Sequence, residues 1–249
     1  MKERSIIGID YLTAAYCAVN LVYLAFGWRE AESPLKLLAL FICVPFGMAL
    51  LIFVHRRFPK FALLSLIRYA YPAILFGFFF EATSGMNQII FKSYLDPHFI
   101  KMDMAVFGYL PSLIWGVQFD NFIIQEIMHF AYFSFYAMIA FIPIILYIKK
   151  RDEFHLFVFS LTFTFYFLML MYSLFPVIGG RYFPSALELC KTYRYGIFTR
   201  AMALIYTLSP HLGGAFPSSH VAIAIVCNLA IGHYKPRYGW YLFPVTLLL

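Results

Sequence analysis

Charged residues are scarce in this 249-residue sequence: Asp, Glu, Lys and Arg together make up 12% of it, whereas soluble domains carry about 25%. Hydrophobic residues make up 63%, and the mean hydropathy is +0.78. These values exclude an ordinary water-soluble domain and predict an integral membrane protein. Because a spanning helix needs about 20 apolar residues, the length accommodates roughly six spans and no sizeable soluble domain.

Cysteine and tryptophan are also rare. The four cysteines lie far apart without a Cys-x-x-Cys pair, so they indicate neither a metal site nor a disulfide framework; they are Cys17, Cys43, Cys190 and Cys227. The aromatic residues include 30 Phe but only 3 Trp, which suits surfaces that face lipid or other helices better than the stacking of bases. We therefore predict no nucleic-acid partner, despite a net charge of +7, and no metal or other cofactor.

The apolar runs predict an all-α, polytopic transmembrane helix bundle with six complete spans and the start of a seventh. The first span follows the short polar N-terminus and ends near Gly27, where no small-residue cleavage pattern marks a signal peptide. Window hydropathy predicts the other five spans at roughly 35–54, 61–80, 122–148, 156–175 and 217–231.

A seventh apolar run starts at Tyr238 and reaches Leu249. About twelve helical residues cover about 18 Å of a hydrocarbon core about 30 Å thick, which would leave carbonyls without partners in lipid. We therefore expect the sequence to be truncated within this span. The chain shows no repeat or linker and is predicted to be one integral membrane domain, with N-terminal spans and a first outer loop over 1–121 and an incomplete core over 122–249.

Lysine and arginine predict the orientation of the bundle. If the spans alternate, the N-terminus and the short turns at 56–60, 149–151 and 235–237 are all rich in positive charge and lie on one side, which the positive-inside rule assigns to the cytoplasm. The two long loops, roughly 81–121 and 176–216, then face the periplasm, a lumen or the exterior. Any chemistry in those loops is predicted to occur on that outer side.

Two groups of polar residues fall within predicted spans. Arg68 is interpreted either as an intramembrane ion with a partner or as a side chain that snorkels back to the cytoplasmic surface. Gln125, Glu126 and His129 form a polar face near the outer end of the fourth span. That face is predicted to line an outward cavity, with interhelical hydrogen bonding as the alternative.

The sequence 213–220, Gly-Gly-Ala-Phe-Pro-Ser-Ser-His, runs directly into an apolar helix and indicates an anion site. Pro217 suits the first turn of a helix, and the first N–H groups of a helix lack intrahelical acceptors and favour phosphate. Gly214 and its neighbour Gly213 would let the backbone approach a ligand, while Ser218 and Ser219 would add hydroxyl donors.

Two further side chains favour the same chemistry. Arg181, in a Gly-Gly-Arg turn, would clamp phosphate oxygens in a bidentate manner, and His220 would protonate a leaving oxygen as general acid. Each feature alone has a simpler explanation: a helix start, an arginine at the lipid headgroups, or a histidine that caps a loop. Their occurrence at both ends of one outer loop favours a phosphate site.

Gly-Gly-Arg-Tyr-Phe-Pro followed by Gly-Ala-Phe-Pro-Ser-Ser-His-Val-Ala resembles the first two signature motifs of the type-2 phosphatidic acid phosphatase superfamily, and most closely its inositol phosphorylceramide synthase-like branch. The resemblance covers roughly 175–231, with a weaker echo that begins at Asp103. Only Arg181 matches the first motif, since its usual Lys-x6-Arg-Pro form is absent.

The resemblance implies metal-independent phosphoryl transfer through a phosphohistidine. A histidine oriented by an aspartate would attack phosphorus, His220 would protonate the departing oxygen, and water or another lipid's hydroxyl would then accept the phosphoryl group. Arg181, Ser218, Ser219 and Gly214 would bind the phosphate oxygens.

The family's third motif, a histidine followed four residues later by aspartate, does not occur in the 249 residues. Three other histidines are set aside. His211 has no aspartate at that interval, His98 has no clear partner in the first outer loop, and His233 is predicted on the cytoplasmic side. We therefore expect the full-length protein to be the enzyme and this stretch alone to be inactive.

The predicted function is a phosphatase or phosphotransferase that acts on phospholipid or isoprenoid phosphates in the bilayer. Sequence does not choose between water and a lipid or polyol such as inositol as the acceptor. Polar residues of the first outer loop would contact a polar acceptor or simply be solvated: Glu81, Asn87, Gln88 and Asp103. The alternatives are a non-catalytic binder or transporter of phosphorylated lipid, and a purely structural bundle.

Overall fold

The computed structural model describes residues 6–119, 121–180, 183, 196–208 and 211–249. The described residues form an all-α bundle, as predicted. Its helices are α1 (Gly8–Phe26), α2 (Pro34–Arg57), α3 (Ala62–Ser84), α4 (Asp96–Phe107), α5 (Pro111–Gln118), α6 (Phe122–Lys149), α7 (Arg151–Leu174), α8 (Ile197–Leu208), α9 (Ser219–Tyr234) and α10 (Pro236–Leu248).

Five of the described helices are long and apolar enough to cross a membrane: α1, α2, α3, α6 and α7. They correspond to the first five predicted spans. The predicted sixth span is α9, whose 16 residues cover about 24 Å, and the predicted seventh is the 13-residue α10. The all-α class is therefore confirmed, while the count of six complete spans is not.

The predicted outer loops contain helices that hydropathy did not indicate. Helices α4 and α5 lie between α3 and α6, and α8 precedes the Gly-Gly-Ala-Phe-Pro motif. These helices have 8 to 12 residues, too few for a span, so a search for long apolar runs passes over them.

Aromatic side chains fill the core between α1, α2, α3 and α7. The ring of Tyr16 stacks on Tyr166 at 4.5 Å and lies 4.7 Å from Phe79, which in turn stacks on Phe41 at 5.9 Å. All four side chains are buried. Offset and edge contacts of this kind stabilise the core beyond the burial of apolar area alone. They hold α3 and α7 beside one another.

Arg68 has a partner inside the bundle. Its guanidinium donates two hydrogen bonds to the Asp10 carboxylate, the first at 2.9 Å, and both side chains are at most 2% exposed. The Tyr71 hydroxyl donates to the same carboxylate at 3.0 Å. The snorkelling alternative is therefore wrong, because the arginine is held against α1 instead of extending to the surface.

The two ends of the bundle differ. At one end, His233 of α9 contacts Glu153 of α7 at 2.8 Å, and Tyr69 of α3 packs on His155 of α7 at 4.6 Å. We call this the basic end, because it also carries the cationic turns 56–60, 149–151 and 235–237. At the opposite end of α3, Phe80 and Thr83 contact the loop that precedes α9; we call it the cavity end.

Candidate functional site

The site is built around the first turn of α9. Ser218 is the N-cap, and its hydroxyl accepts a weak hydrogen bond from the N–H of Val221 at 3.4 Å. Pro217 therefore precedes the helix and does not occupy its first turn as predicted. The Pro217 carbonyl accepts a hydrogen bond from the Tyr172 hydroxyl at 3.0 Å, which ties the start of α9 to the end of α7.

The two motif-bearing stretches meet side by side. Val177 and Gly214 form a parallel bridge, in which the Ala215 N–H donates to the Val177 carbonyl at 2.9 Å. Gly213 has a φ of +94°, a conformation that favours glycine. A Cβ there would lie 2.2 Å from the Asn87 amide nitrogen, so glycine is also required sterically.

A buried carboxylate holds the stretch before Arg181 in place. Asp96, at the start of α4, accepts hydrogen bonds from the N–H groups of Ile178 and Gly179, both at 2.8 Å. The neighbouring Leu95 N–H donates to the Pro176 carbonyl at 2.8 Å. Asp96 was not predicted as a site residue. The sequence feature that could have identified it is its position directly before a proline at the start of a helix.

These contacts enclose a cavity of about 300 Å³. The volume lies at the lower end of the range for ligand pockets, which runs from about 300 to 1,000 Å³. Its walls are aromatic and apolar on the side of α3, α6 and α8, and are made of backbone and small polar residues on the side of the two motifs. The lining residues are Phe80, Tyr132, Tyr136, Ile178, Gly179, Gly180, Ile205, Tyr206, His211, Gly214, Ala215, Ser218, Ser219 and His220.

His220 is clamped between aromatic rings of α6. Its imidazole stacks on Tyr132 at 4.0 Å and lies 4.3 Å from the Phe135 ring. The Nε2 atom is buried and has no hydrogen-bond partner among the described residues. An unpaired buried nitrogen costs free energy. The His220 side chain lines a cavity that is large enough for a ligand.

A second histidine lines the same cavity. His211 stacks on Phe80 at 4.0 Å, and its Nε2 lies 2.8 Å from the Thr83 hydroxyl oxygen. Burial lowers the pKa of His211 to about 4. His211 was not predicted as a site residue, because no aspartate follows it at the expected interval. Its partner Thr83 lies on α3, and no pattern in the sequence indicates that contact.

The structure brings most of the predicted phosphate-binding residues together. Gly214, Ser218, Ser219 and His220 all line the cavity. Arg181 lies outside the described residues. Gly180, its immediate neighbour in the sequence, lines the cavity.

The other predicted cavity residues lie elsewhere. The Glu126 carboxylate accepts hydrogen bonds from the backbone N–H groups of Phe198 and Thr199 and from the Thr199 hydroxyl, so it caps the start of α8. It borders a separate, almost wholly apolar surface pocket. His129 contacts the carbonyl of Gln125 at 2.7 Å, and neither His129 nor Asp103 lines the cavity beside His220. Glu126 therefore forms interhelical hydrogen bonds between α6 and α8, which was the alternative prediction for this polar face.

The polar residues of the first outer loop also differ from one another. Asn87 is buried and donates to the Leu212 carbonyl at 3.0 Å, so it braces the motif loop and is not solvated. Glu81 is exposed. Within the part of the chain that the structure describes, no group of three His, Cys, Asp or Glu side chains is placed to hold a metal ion.

The arrangement combines three chemical capacities. The first turn of α9 offers N–H groups and serine hydroxyls to an anion. Two imidazoles border the same space and can exchange protons with a ligand. The aromatic walls lower the polarity around a bound anion, which strengthens electrostatic interactions there.

No curated protein and no solved structure matches the chain. The sequence profile of the PAP2 superfamily matches residues 98–249, a stretch that begins in α4 and includes both motifs and the whole of α9. The matched stretch is more than half of the 249 residues, and the chain therefore belongs to the PAP2 superfamily.

Proposed function

We propose that this protein is a membrane-embedded phosphatase or phosphotransferase that acts on lipid phosphate esters. The observation that carries the proposal is the position of His220, which lines the same cavity as the start of α9 and whose Nε2 has no hydrogen-bond partner among the described residues. Membership of the PAP2 superfamily supports action on phosphate esters. The apolar bundle around the cavity supports a lipid substrate.

The phosphate group binds at the first turn of α9. Ser219 and Gly214 face the cavity, and the positive end of the helix dipole favours an anion there. Arg181 directly follows Gly180 in the sequence, and its guanidinium supplies the bidentate cationic contact. Together these groups neutralise the charge that shifts among the phosphate oxygens in the transition state.

His220 acts as the general acid. It donates a proton from Nε2 to the oxygen that leaves phosphorus, while the phosphoryl group passes to a histidine and from there to the acceptor. The stacks on Tyr132 and Phe135 hold the imidazole in one orientation. Fixing the acid in this way lowers the entropic part of the barrier.

The substrate is a phospholipid or an isoprenoid phosphate, and the acceptor is water, a second lipid or a polyol such as inositol. The acyl or prenyl chain leaves the cavity toward the bilayer. The cavity lies at the opposite end of the bundle from the cationic turns, and by the positive-inside rule it faces the non-cytoplasmic side. The N-terminus is then cytoplasmic.

The test is turnover of a short-chain lipid phosphate by the purified full-length protein in nanodiscs, comparing wild type with His220→Gln. We expect the turnover rate of the variant to fall by about 10²- to 10⁴-fold. His98→Gln is the matched control, because His98 is exposed on α4 and does not line the cavity.

Binding of orthovanadate, a mimic of transferring phosphoryl groups, is measured on the same samples. Weak turnover with intact vanadate binding in His220→Gln supports the general-acid role. Full turnover in the variant contradicts it. Vanadate binding by a wild-type protein that turns over none of the lipid phosphates favours the binder or transporter.

A further inference from the structure

We propose that His211 is the general base of the same site, which removes the proton from the hydroxyl that accepts the phosphoryl group. This inference rests on the proposed function. It assigns the two imidazoles of the cavity to opposite proton transfers, His220 to the leaving oxygen and His211 to the attacking one.

The hydrogen bonds around Thr83 assign the proton of His211. The Thr83 hydroxyl donates to the Phe80 carbonyl at 2.7 Å, so its single proton is already used. Its oxygen must then accept the bond from His211 Nε2 at 2.8 Å. We therefore assign the proton of the neutral imidazole to Nε2, which leaves the lone pair on Nδ1.

The edge that carries Nδ1 is next to a glycine of the motif. A Cβ built on Gly214 would lie 3.2 Å from both Nδ1 and Cε1 of His211. Glycine thus leaves this edge of the imidazole uncovered where a side chain would crowd it. Both His211 and Gly214 line the cavity, so a hydroxyl bound there can reach Nδ1.

Burial keeps His211 in the form that a base requires. The pKa of His211 is lowered to about 4, so the imidazole is neutral at physiological pH. The other titratable side chains that line the cavity are His220, Tyr132, Tyr136 and Tyr206. The Asp96 carboxylate at the start of α4 is engaged with the N–H groups of Ile178 and Gly179.

The step balances without a further reactant. The acceptor oxygen, from water or an alcohol, forms a bond to phosphorus as its O–H bond breaks and the proton moves to Nδ1 of His211. The bond between phosphorus and the atom that carried the phosphoryl group breaks, and its electron pair stays on that atom. Release of the product returns the proton to solvent.

The test compares His211→Gln, His211→Ala and His98→Gln in nanodiscs, with vanadate binding measured beside turnover. We expect His211→Gln to bind vanadate like wild type and to lose about 10²-fold or more of turnover. Added imidazole should restore part of the turnover of His211→Ala, because the space left by the ring admits a replacement base. His98→Gln should behave like wild type.

A second pair of variants keeps the test decisive if His211 variants fold poorly. Gly214→Ala should lower turnover by placing a methyl group against Nδ1. Thr83→Val should also lower turnover, since it removes the acceptor of the Nε2 proton, whereas Thr83→Ser should retain it.

The outcomes separate the two proposals. Loss of turnover in His220→Gln together with wild-type turnover in His211→Gln overturns the base assignment and leaves the proposed function standing. Loss in His211→Ala without any response to imidazole also overturns it. If wild type turns over no phosphate ester, the proposed function fails and this inference with it.

Discussion

Two polar clusters occupy opposite ends of α3 (Ala62–Ser84), and they are built differently. Toward the basic end, Arg68 and Tyr71 both donate hydrogen bonds to the Asp10 carboxylate inside the bundle. At the cavity end, His211 and His220 border about 300 Å³ of space, and Nε2 of His220 has no partner among the described residues.

The difference shows how a membrane protein uses buried polarity. A closed cluster, in which each charge meets a matching group, holds helices in register, and removing one member is strongly destabilising because it leaves an uncompensated buried charge. An open cluster leaves hydrogen-bonding capacity unused next to a cavity, which is advantageous only if a ligand supplies the missing partners. The first type stabilises the bundle; the second is where chemistry is expected.

The largest predicted effect breaks the closed cluster. Arg68→Met leaves the buried Asp10 carboxylate without its cation, and we expect a loss of about 3–5 kcal/mol of stability. Thermal unfolding in one detergent measures it. The double variant Asp10→Asn/Arg68→Met should recover most of the loss, because no uncompensated charge remains. An unchanged unfolding temperature in Arg68→Met would contradict the closed-cluster interpretation.

The next effect is at the cavity end and concerns Asp96. Asp96→Ala leaves the N–H groups of Ile178 and Gly179 unpaired, at a cost of about 1–3 kcal/mol for each unsatisfied group. Turnover should fall as well, since these residues line the cavity. Asp96→Asn is the milder control, because its amide oxygen still accepts one bond. Equal behaviour of the two variants would argue against this bracing role.

A smaller effect is expected at the start of α8. Glu126→Ala removes the carboxylate that caps Phe198 and Thr199, and loss of a cap costs about 0.5–2 kcal/mol. Hydrogen exchange should speed up over α8, whose Ile205 and Tyr206 line the cavity. Glu126→Gln retains an acceptor and should exchange at an intermediate rate. Unchanged exchange over α8 would refute the capping role.

The last effect appears only below about pH 6.5 and is the pH dependence of stability that His211 contributes. Its pKa is about 4 in the folded protein against 6.5 in its ordinary state, so the unfolded chain binds the proton more readily between these values. Stability should therefore fall as the pH is lowered from about 6.5 to about 4. His211→Gln should show a shallower fall over this window, measured by thermal unfolding. An identical fall in both proteins would show that other groups cause it.

Sequence was sufficient for features that depend on composition and local pattern. The first five spans follow from runs of apolar residues, and the grouping of Gly214, Ser218, Ser219 and His220 follows from their adjacency before an apolar helix. These features need no knowledge of how distant segments pack.

Features that depend on distant partners were not accessible in this way. The pairing of Arg68 with Asp10 joins residues 58 positions apart, and the contact of His211 with Thr83 joins residues 128 apart. Glu126 was predicted at a cavity, but the helix that it caps lies 72 positions away and was itself not predicted. Short helices in outer loops carry too weak a hydropathy signal to be placed from sequence.

The most direct test of the central claim is to locate a bound phosphate mimic. Tungstate added to the protein, followed by anomalous diffraction, marks the heavy atom independently of any assumption about the reaction. The account predicts one tungstate in the cavity, within hydrogen-bond distance of His220 Nε2 and next to the N–H groups at the start of α9. Tungstate bound only outside this cavity, in protein that turns over lipid phosphates, would contradict it.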